Sequence, residues 1–252
     1  MIDTLKTRIF QGKQYIGSIE HAPMRSQFRG LPKVDSRLCS GCGSCVSLCP
    51  AEAISTKPIM IDIGKCTFCG ECSRKCPEKA IEFTNNYKLS STNRELLVIS
   101  DDMTPQMYEK LAIKTRKEIT SLFSHSLKLR QVSAGGCNGC EMELNACSNV
   151  NFDMGRFGIE FVASPRHADG IVITGPISEN MAYALENCYE SVPDPKIVIL
   201  CGACAISGGV FKDSTQIDRS FLDKYKIDLY MPGCPVHPLT FINGVLSFIR
   251  KK

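Results

Sequence analysis

The sequence predicts an α/β protein in two unequal parts: a small cysteine-stapled module, then an open, mostly parallel sheet covered on both faces. Three observations carry this expectation. Residues 35–54 (DSRLCSGCGSCVSLCPAEAI) and 62–81 (DIGKCTFCGECSRKCPEKAI) are two copies of one motif. From residue 126 onward, short apolar strand-like runs alternate with segments of helical period, the pattern of parallel strand–helix units. The composition, 43% hydrophobic and 22% charged over 252 residues, is that of an ordinary globular chain and excludes collagen-like or wholly disordered proteins.

The elements follow in chain order. Residues 1–30 are expected to be an N-terminal docking segment, and 31–85 the small α+β module. A shift of 27 within the module superimposes Asp35 on Asp62, each set of four cysteines, Pro50 on Pro77, Ala53 on Ala80 and Ile54 on Ile81. With so few apolar residues, something other than a core must staple it. Residues 86–125 are read as a linker and an amphipathic helix, with the polar stretch 84–95 (TNNYKLSSTNRE) leading in. Thr104 and Pro105 suit an N-cap and a first helical position. Met107, Leu111, Ile119, Leu122 and Phe123 then share one face of a single helix over 105–124, with Lys110, Lys114, Arg116 and Lys117 as its solvated face. Residues 126–252 form the sheet domain. Strands are expected at 127–132, 159–163, 171–174, 197–200 and 227–231, and helices at 141–148, 178–190 and 238–250.

Chemistry is concentrated in the 15 cysteines. There is no apolar run of ~18 residues to span a bilayer and no secretory signal pattern, so a reducing compartment is expected, where stable disulfides are rare. The thiols should be metal ligands or buried apolar groups. Each repeat reads C-x2-C-x2-C-x3-C-P. Three thiolates on one tight loop hold three corners of an iron–sulfur cube, and the fourth serves the other cube. One [4Fe–4S] cluster should therefore take Cys39, Cys42, Cys45 and Cys76, and the other Cys66, Cys69, Cys72 and Cys49. Gly41, Gly43 and Gly70 let backbone approach the clusters. Zinc sites instead pair two C-x2-C knuckles.

The remaining motifs are Cys137-Asn138-Gly139-Cys140, Cys201-Gly202-Ala203-Cys204 and Pro232-Gly233-Cys234-Pro235. Each follows an expected strand, so they gather at the edge where open α/β sheets bind ligands. By spacing alone they suit zinc or a third cluster equally. Cys147 and Cys188 fall at helical spacing from Leu144 and from Met181 and Leu185, as core residues do. Cys201 rivals Cys204, because C-x2-C is ligand spacing.

Several of these stretches, in order, resemble one family: AGGCNGCEMEL, RFGIEFVASPRHADGIVITGP, PDPK, CGACAISGGVF and IDLYMPGCPVHP. They are similar to the small subunit of membrane-bound [NiFe] hydrogenases of the formate hydrogenlyase and energy-converting type, and to the related twenty-kilodalton subunit family of respiratory complex I. Residues 28–85, opening on FRGLP, resemble the ferredoxin-like subunit of the same complexes. The resemblance implies a flavodoxin-like open parallel sheet domain after a two-cluster ferredoxin domain. It also implies a third [4Fe–4S] cluster on Cys137, Cys140, Cys204 and Cys234, making three. Complex I relatives carry a tandem Cys-Cys where this chain has C-N-G-C, which favours the hydrogenase side. Cys201, the stretch 212–226 and Val236-His237 depart from the pattern.

Arg166 and His167 are candidates to tune a cluster potential or couple proton uptake to reduction; an ion pair with Asp169 is the plainer role. Glu141 and Glu143, just after C-x2-C, read as acids at a helix N-terminus. No Walker A loop, G-x-G-x-x-G or Ser/His/Asp signature is present, so no catalytic residue is assigned. The expected function is an electron-transfer subunit of a membrane-associated [NiFe] hydrogenase, wiring an electron-donor module to a large catalytic subunit. The equivalent subunit of a complex I-like quinone oxidoreductase, facing that complex's own type of large subunit, is the alternative; a zinc-binding assembly protein is another, of a different class. Membrane subunits of the same complex are expected partners and nucleic acid is not, with the chain peripheral on the cytoplasmic face of the membrane. The formal charge of +4 would become about −2 with three oxidised clusters, each carrying about −2 with its thiolates.

Overall fold

Two runs of continuous apolar residues, GIVIT and IVILC, form the central strands β8 (Gly170–Thr174) and β9 (Ile197–Cys201), and every residue of both is buried. Strands covered on both faces have this character. β6 (Leu127–Ser133), β7 (Ile159–Phe161) and β10 (Leu229–Met231) complete a parallel sheet of order β10-β9-β8-β6-β7. That is the flavodoxin-like order, whose crevice lies where the winding reverses, at the carboxyl ends of the strands. The structure, a computed structural model, describes residues 2–115 and 117–250. Arg116, expected on the basic face of the linking helix, lies outside the described residues, as do Met1, Lys251 and Lys252.

Alternation along the strands separates two cores. Ile171, Ile173, Val198 and Leu200 face one core, with α7 (Glu179–Ser191), α8 (Ala203–Ser207) and α9 (Ser220–Lys224). Val172, Ile197 and Ile199 face the other, with α5 (Lys117–Phe123), α6 (Gly139–Ala146) and α10 (Pro238–Ile249). Phe241 of α10 is fully buried, its ring 5.7 Å from that of Phe161. Phe241→Ala is expected to destabilise the fold by about 3–5 kcal/mol, measured by denaturant unfolding, because the cavity cannot collapse between sheet and helix.

The N-terminal module carries the repeat. β1 (Pro32–Val34) pairs antiparallel with β4 (Ile81–Phe83), and β2 (Ile54–Thr56) with β3 (Ile59–Asp62). Two short helices, α2 (Ser44–Ser47) and α3 (Glu71–Lys75), occupy equivalent places in the two copies. The module shares its apolar cluster with one face of the large sheet: Leu31, Ile61 and Leu97 belong to the same core as Ile171 and Ile206. An ion pair between Glu52 and Lys212 adds a polar contact between the parts.

Two expectations need correction. The polar stretch 84–95 is no free tether. Tyr87, Leu89, Ser90 and Ser91 are buried, and Ser91 bridges to Tyr230 in β10. Its hydroxyls can be buried because they are partnered: Ser90 Oγ donates to the Thr240 carbonyl at 3.2 Å, and Ser91 Oγ to that of Ala112 at 2.9 Å. β5 (Val98–Ile99), beyond it, then adds to β3. The single helix over 105–124 is two, α4 (Pro105–Leu111) and α5. α4 starts as expected, Thr104 Oγ1 accepting the Met107 N–H at 3.2 Å. It stops because the Ala112 carbonyl is taken by the Thr92 N–H at 2.8 Å and by Ser91. Tyr108, Ile119 and Phe123 are buried, whereas Met107, Leu111 and Leu122 stay exposed. At the other end of the chain, α1 (Ile2–Gln11) has no buried residue, and its Ile2, Leu5, Ile9 and Phe10 all face solvent.

Candidate metal centres

The two copies of the motif share backbone as well as sequence. Gly43 and Gly70, in left-handed conformation at φ 76° and 77°, open α2 and α3. Glu52 and Lys79, also equivalent, both have positive φ. Gly41 (φ 70°) corresponds to Phe68 (φ 53°), so the second copy makes the same turn with a bulky residue. That conformation costs of order 1–3 kcal/mol for a non-glycine residue, offset here by burial of the ring against Phe83 at 6.1 Å. The Ala53 N–H donates to Cys49 Sγ and the Ala80 N–H to Cys76 Sγ, each at 3.3 Å. The Phe68 N–H donates to Cys66 Sγ at the same distance. Such donors stabilise charge on sulfur.

The thiols sort into sets by their neighbours. Burial pushes Cys66 up to about 12, and Cys72, Cys49 and Cys69 add to the shift as close like-charged groups. Cys72 is pushed up to about 11 by burial, with Cys69 and Cys49 beside it and Cys45 beyond. Cys45 is raised by burial, with Cys39 and Cys76 as its neighbours. Cys49 thus sits with the second triplet and Cys76 with the first, crossed between the repeats. Cys42 is exposed, and a hydrogen bond with Ser44 lowers its thiol. Buried thiols this basic need a metal to become ligating thiolates.

A second gathering stands at the carboxyl edge of the large sheet. Cys137 and Cys140 flank the start of α6 beyond β6, Cys204 lies in α8 just after β9, and Cys234 follows β10. Burial pushes Cys204 up to about 11, with Cys234, Cys140 and Cys137 as neighbouring charges. Cys234 is raised by burial and by Cys140 and Cys137. Cys137 and Cys234 are exposed; Cys140 and Cys204 are half-buried. Two glycines make room: a Cβ on Gly202 (φ 97°) would lie 2.6 Å from Cys140 Sγ, and one on Gly209 (φ 56°) 3.0 Å from Cys204 Sγ. Mutually facing thiols, sulfur-directed N–H groups and a glycine cradle fit iron–sulfur clusters. Among the described residues, no three His, Cys, Asp or Glu side chains converge on a single-ion shell.

The two gatherings meet across one cleft of about 230 Å³. Arg29, Phe68 and Cys69 line one side and Cys234, Pro235 and His237 the other. Arg29 Nε donates to the Phe68 carbonyl at 2.5 Å. His237 caps α10, its Nδ1 accepting the Leu239 N–H at 3.1 Å, and burial lowers its pKa.

Comparison with known proteins agrees with this geometry. Residues 31–77 match the 4Fe-4S dicluster domain, and residues 137–248 match the NADH ubiquinone oxidoreductase 20 kDa subunit. The probable membrane-bound hydrogenase subunit mbhJ of Pyrococcus furiosus is 35% identical over 149 residues, covering 59% of this chain and 89% of that protein. The chain belongs to the twenty-kilodalton subunit family. An NADH-quinone oxidoreductase subunit of Heliobacterium modesticaldum is 36% identical over 155 residues, covering 61% of this chain and 87% of that protein. Formate hydrogenlyase subunit 7 of Escherichia coli is 36% identical over 140 residues, covering 56% of this chain and 55% of that one.

In this member of the family the third group of cysteines has a support that sequence reasoning missed. Arg219, from the divergent stretch 212–226, donates to the carbonyls of Pro176 (3.1 Å), Cys204 (3.3 Å), Ala205 (2.9 Å) and Ile206 (3.0 Å). It satisfies the orphan carbonyls of α8, the helix that carries Cys204. No motif signals it, because the contact joins residues fifteen apart through a loop. Glu141 is buried at the start of α6, its Oε1 accepting from Ser133 Oγ and Thr174 Oγ1, both at 2.7 Å. It fastens that helix to β6 and β8. Arg166 and His167 are both exposed, in a turn that precedes β8. They stand at the amino edge of the parallel sheet, a strand length of about 3.3 Å per residue from the cysteine edge. The Asp169 carboxylate accepts the Lys128 N–H at 2.6 Å.

Proposed function

We propose that this chain is the iron–sulfur electron-transfer subunit of a membrane-bound hydrogenase or complex I-like assembly, with three [4Fe–4S] clusters in series. Cys39, Cys42, Cys45 and Cys76 would hold the first, Cys66, Cys69, Cys72 and Cys49 the second, and Cys137, Cys140, Cys204 and Cys234 the third. Bound there, the clusters would take up and release single electrons. The protein would supply thiolates, N–H donors to sulfur and burial. The single observation that carries the reading is the cleft lined by both Cys69 and Cys234, one cysteine from each gathering.

Residues 31–85 would be the ferredoxin-like domain, 86–125 the strap and helices between the parts, and 126–252 the domain that faces the large catalytic subunit. Exposure of Cys137 and Cys234 suits a site completed by that subunit. The C-N-G-C spacing favours a [NiFe] large subunit over the metal-free large subunit of a complex I-like quinone reductase. An electron-donor module would meet the first domain. Residues 1–30 would dock on a partner through the exposed apolar side chains of α1. Among the described residues no helix is long and apolar enough to cross a membrane, so we infer peripheral attachment, on the cytoplasmic face, through membrane subunits.

Metal analysis of the purified complex tests the reading. Iron and acid-labile sulfide in nearly equal amounts are expected, with nickel and the small excess of iron in the co-purifying large subunit. Zinc with little sulfide would sink it in favour of a zinc-binding assembly protein, and a nickel-free large subunit would move the chain to the quinone oxidoreductase side.

A further inference from the structure

The FRGLP stretch ahead of the first repeat is a junction, and three of its residues each meet a different part of the molecule. The Phe28 ring stands edge-on to that of His237 at 5.3 Å, at the start of α10. Arg29 Nε donates to the carbonyl of Phe68, between Cys66 and Cys69 of the second repeat. Gly30 lies against the strap, where a Cβ would come 2.0 Å from the Asn86 carbonyl oxygen. With its neighbours pinned on both sides, Arg29 is held in the cleft that Cys69 and Cys234 also line.

The two repeats carry equal sets of thiols but unequal charge. Arg74 Nη2 donates to the Cys69 carbonyl at 3.1 Å, yet its charge is offset by an ion pair with Glu71. Among the described residues no carboxylate pairs with Arg29. A Cβ on Gly70 would meet Arg29 Cδ at 2.8 Å, whereas the equivalent Gly43 faces open space. Ser44 and Ser47 stand in the first repeat where Glu71 and Arg74 stand in the second. We propose that Arg29 is a positioning residue for electron transfer, whose fixed positive charge raises the reduction potential of the second cluster relative to the first. The proposal rests on the reading that Cys66, Cys69, Cys72 and Cys49 hold that second cluster. A guanidinium carries its charge permanently. One-electron reduction adds negative charge to a cluster, so an uncompensated cation beside it favours the reduced form. Arg29 is exposed, and solvent limits the gain. The bias draws an electron from the first repeat toward the cleft and the third group.

Redox titration of the full metal-loaded chain by electron paramagnetic resonance tests this, alongside iron and sulfide content, for wild type, Arg29→Gln and Arg29→Lys. The second cluster is identified as the signal that Cys66→Ala abolishes. Arg29→Gln should keep wild-type iron and sulfide while the reduction equilibrium of that cluster falls about threefold, tenfold being about 59 mV for a one-electron couple. The first cluster should not move. Arg29→Lys, which keeps the charge, should stay near wild type. The difference between wild type and Arg29→Gln should also shrink as salt rises from about 0.1 M to about 1 M, where the screening length falls from about 10 Å to about 3 Å. An unchanged second potential with metal intact would overturn the tuning. A shift that Arg29→Lys does not rescue and salt does not touch, or loss of about a third of the iron in Arg29→Gln, would overturn it as well by making Arg29 a support of the loop alone. A wild-type chain without the signal that Cys66→Ala should remove would bring down the cluster reading itself, a failure distinct from the others.

Discussion

Cys204→Ala is expected to yield a chain with about two thirds of the wild-type iron and acid-labile sulfide, because one of the three proposed four-iron sites would lose a thiolate it cannot replace. Cys201, the other cysteine at C-x2-C spacing, is fully buried in the apolar core. The two cluster signals of the N-terminal module should survive. Their ligands stand on and between β1 to β4, α2 and α3, and the thiols there neighbour one another rather than Cys204. The fold should survive too, since α8 remains capped by Arg219 and the buried strands β8 and β9 are untouched. Cys188→Ala is the control: Cys188 lies on α7, packed against the opposite core and apart from the four gathered thiols. Iron retained in full by Cys204→Ala would overturn the third set of ligands.

Much of this architecture was legible because it rests on patterns that local sequence controls. The strand β8 is a run of branched apolar residues, and a helix such as α10 shows its buried face at 3.6-residue spacing. Cysteine loops are equally local, so the two copies of C-x2-C-x2-C-x3-C-P could be read from spacing. What failed depends on contacts distant in sequence. The break after α4 is made by Ser91 and Thr92, about twenty residues upstream, competing for the Ala112 carbonyl. The strap was misread because its polar residues find backbone partners inside the protein, which composition does not reveal. The place of Arg166 and His167 in the fold was legible in the sequence as well. In a parallel sheet residues before a strand and cysteines after strands lie at opposite edges, so the position of SPRHAD ahead of β8 already separated it from the site.

The proposed crossing of ligands between the repeats makes a sharper prediction, because it concerns pairs of cysteines and not single ones. Cys49→Ala alone and Cys66→Ala alone should each cost about a third of the iron. The double variant Cys49→Ala with Cys66→Ala should lose no more than either, since both belong to one set. Cys49→Ala with Cys39→Ala should lose about two thirds, although Cys49 and Cys39 lie in the same repeat. Cys76 should behave in the mirror sense, additive with Cys66 and silent beside Cys39 or Cys45. The logic is that of a double-mutant cycle: residues acting as one unit fail once, and independent residues fail twice. Each fourth cysteine follows its short helix and receives an N–H from the alanine four residues on, so the two occupy equivalent places in the repeat. Were each repeat to hold its own cluster, the additive and silent pairs would exchange places, and Cys49→Ala with Cys39→Ala would cost only about a third. The variants also differ in what remains beside the cleft. Cys49→Ala removes the proposed set that includes Cys69, which lines the cleft with Cys234, so reduction of the third site through the N-terminal module should fail, whereas Cys76→Ala leaves that set complete.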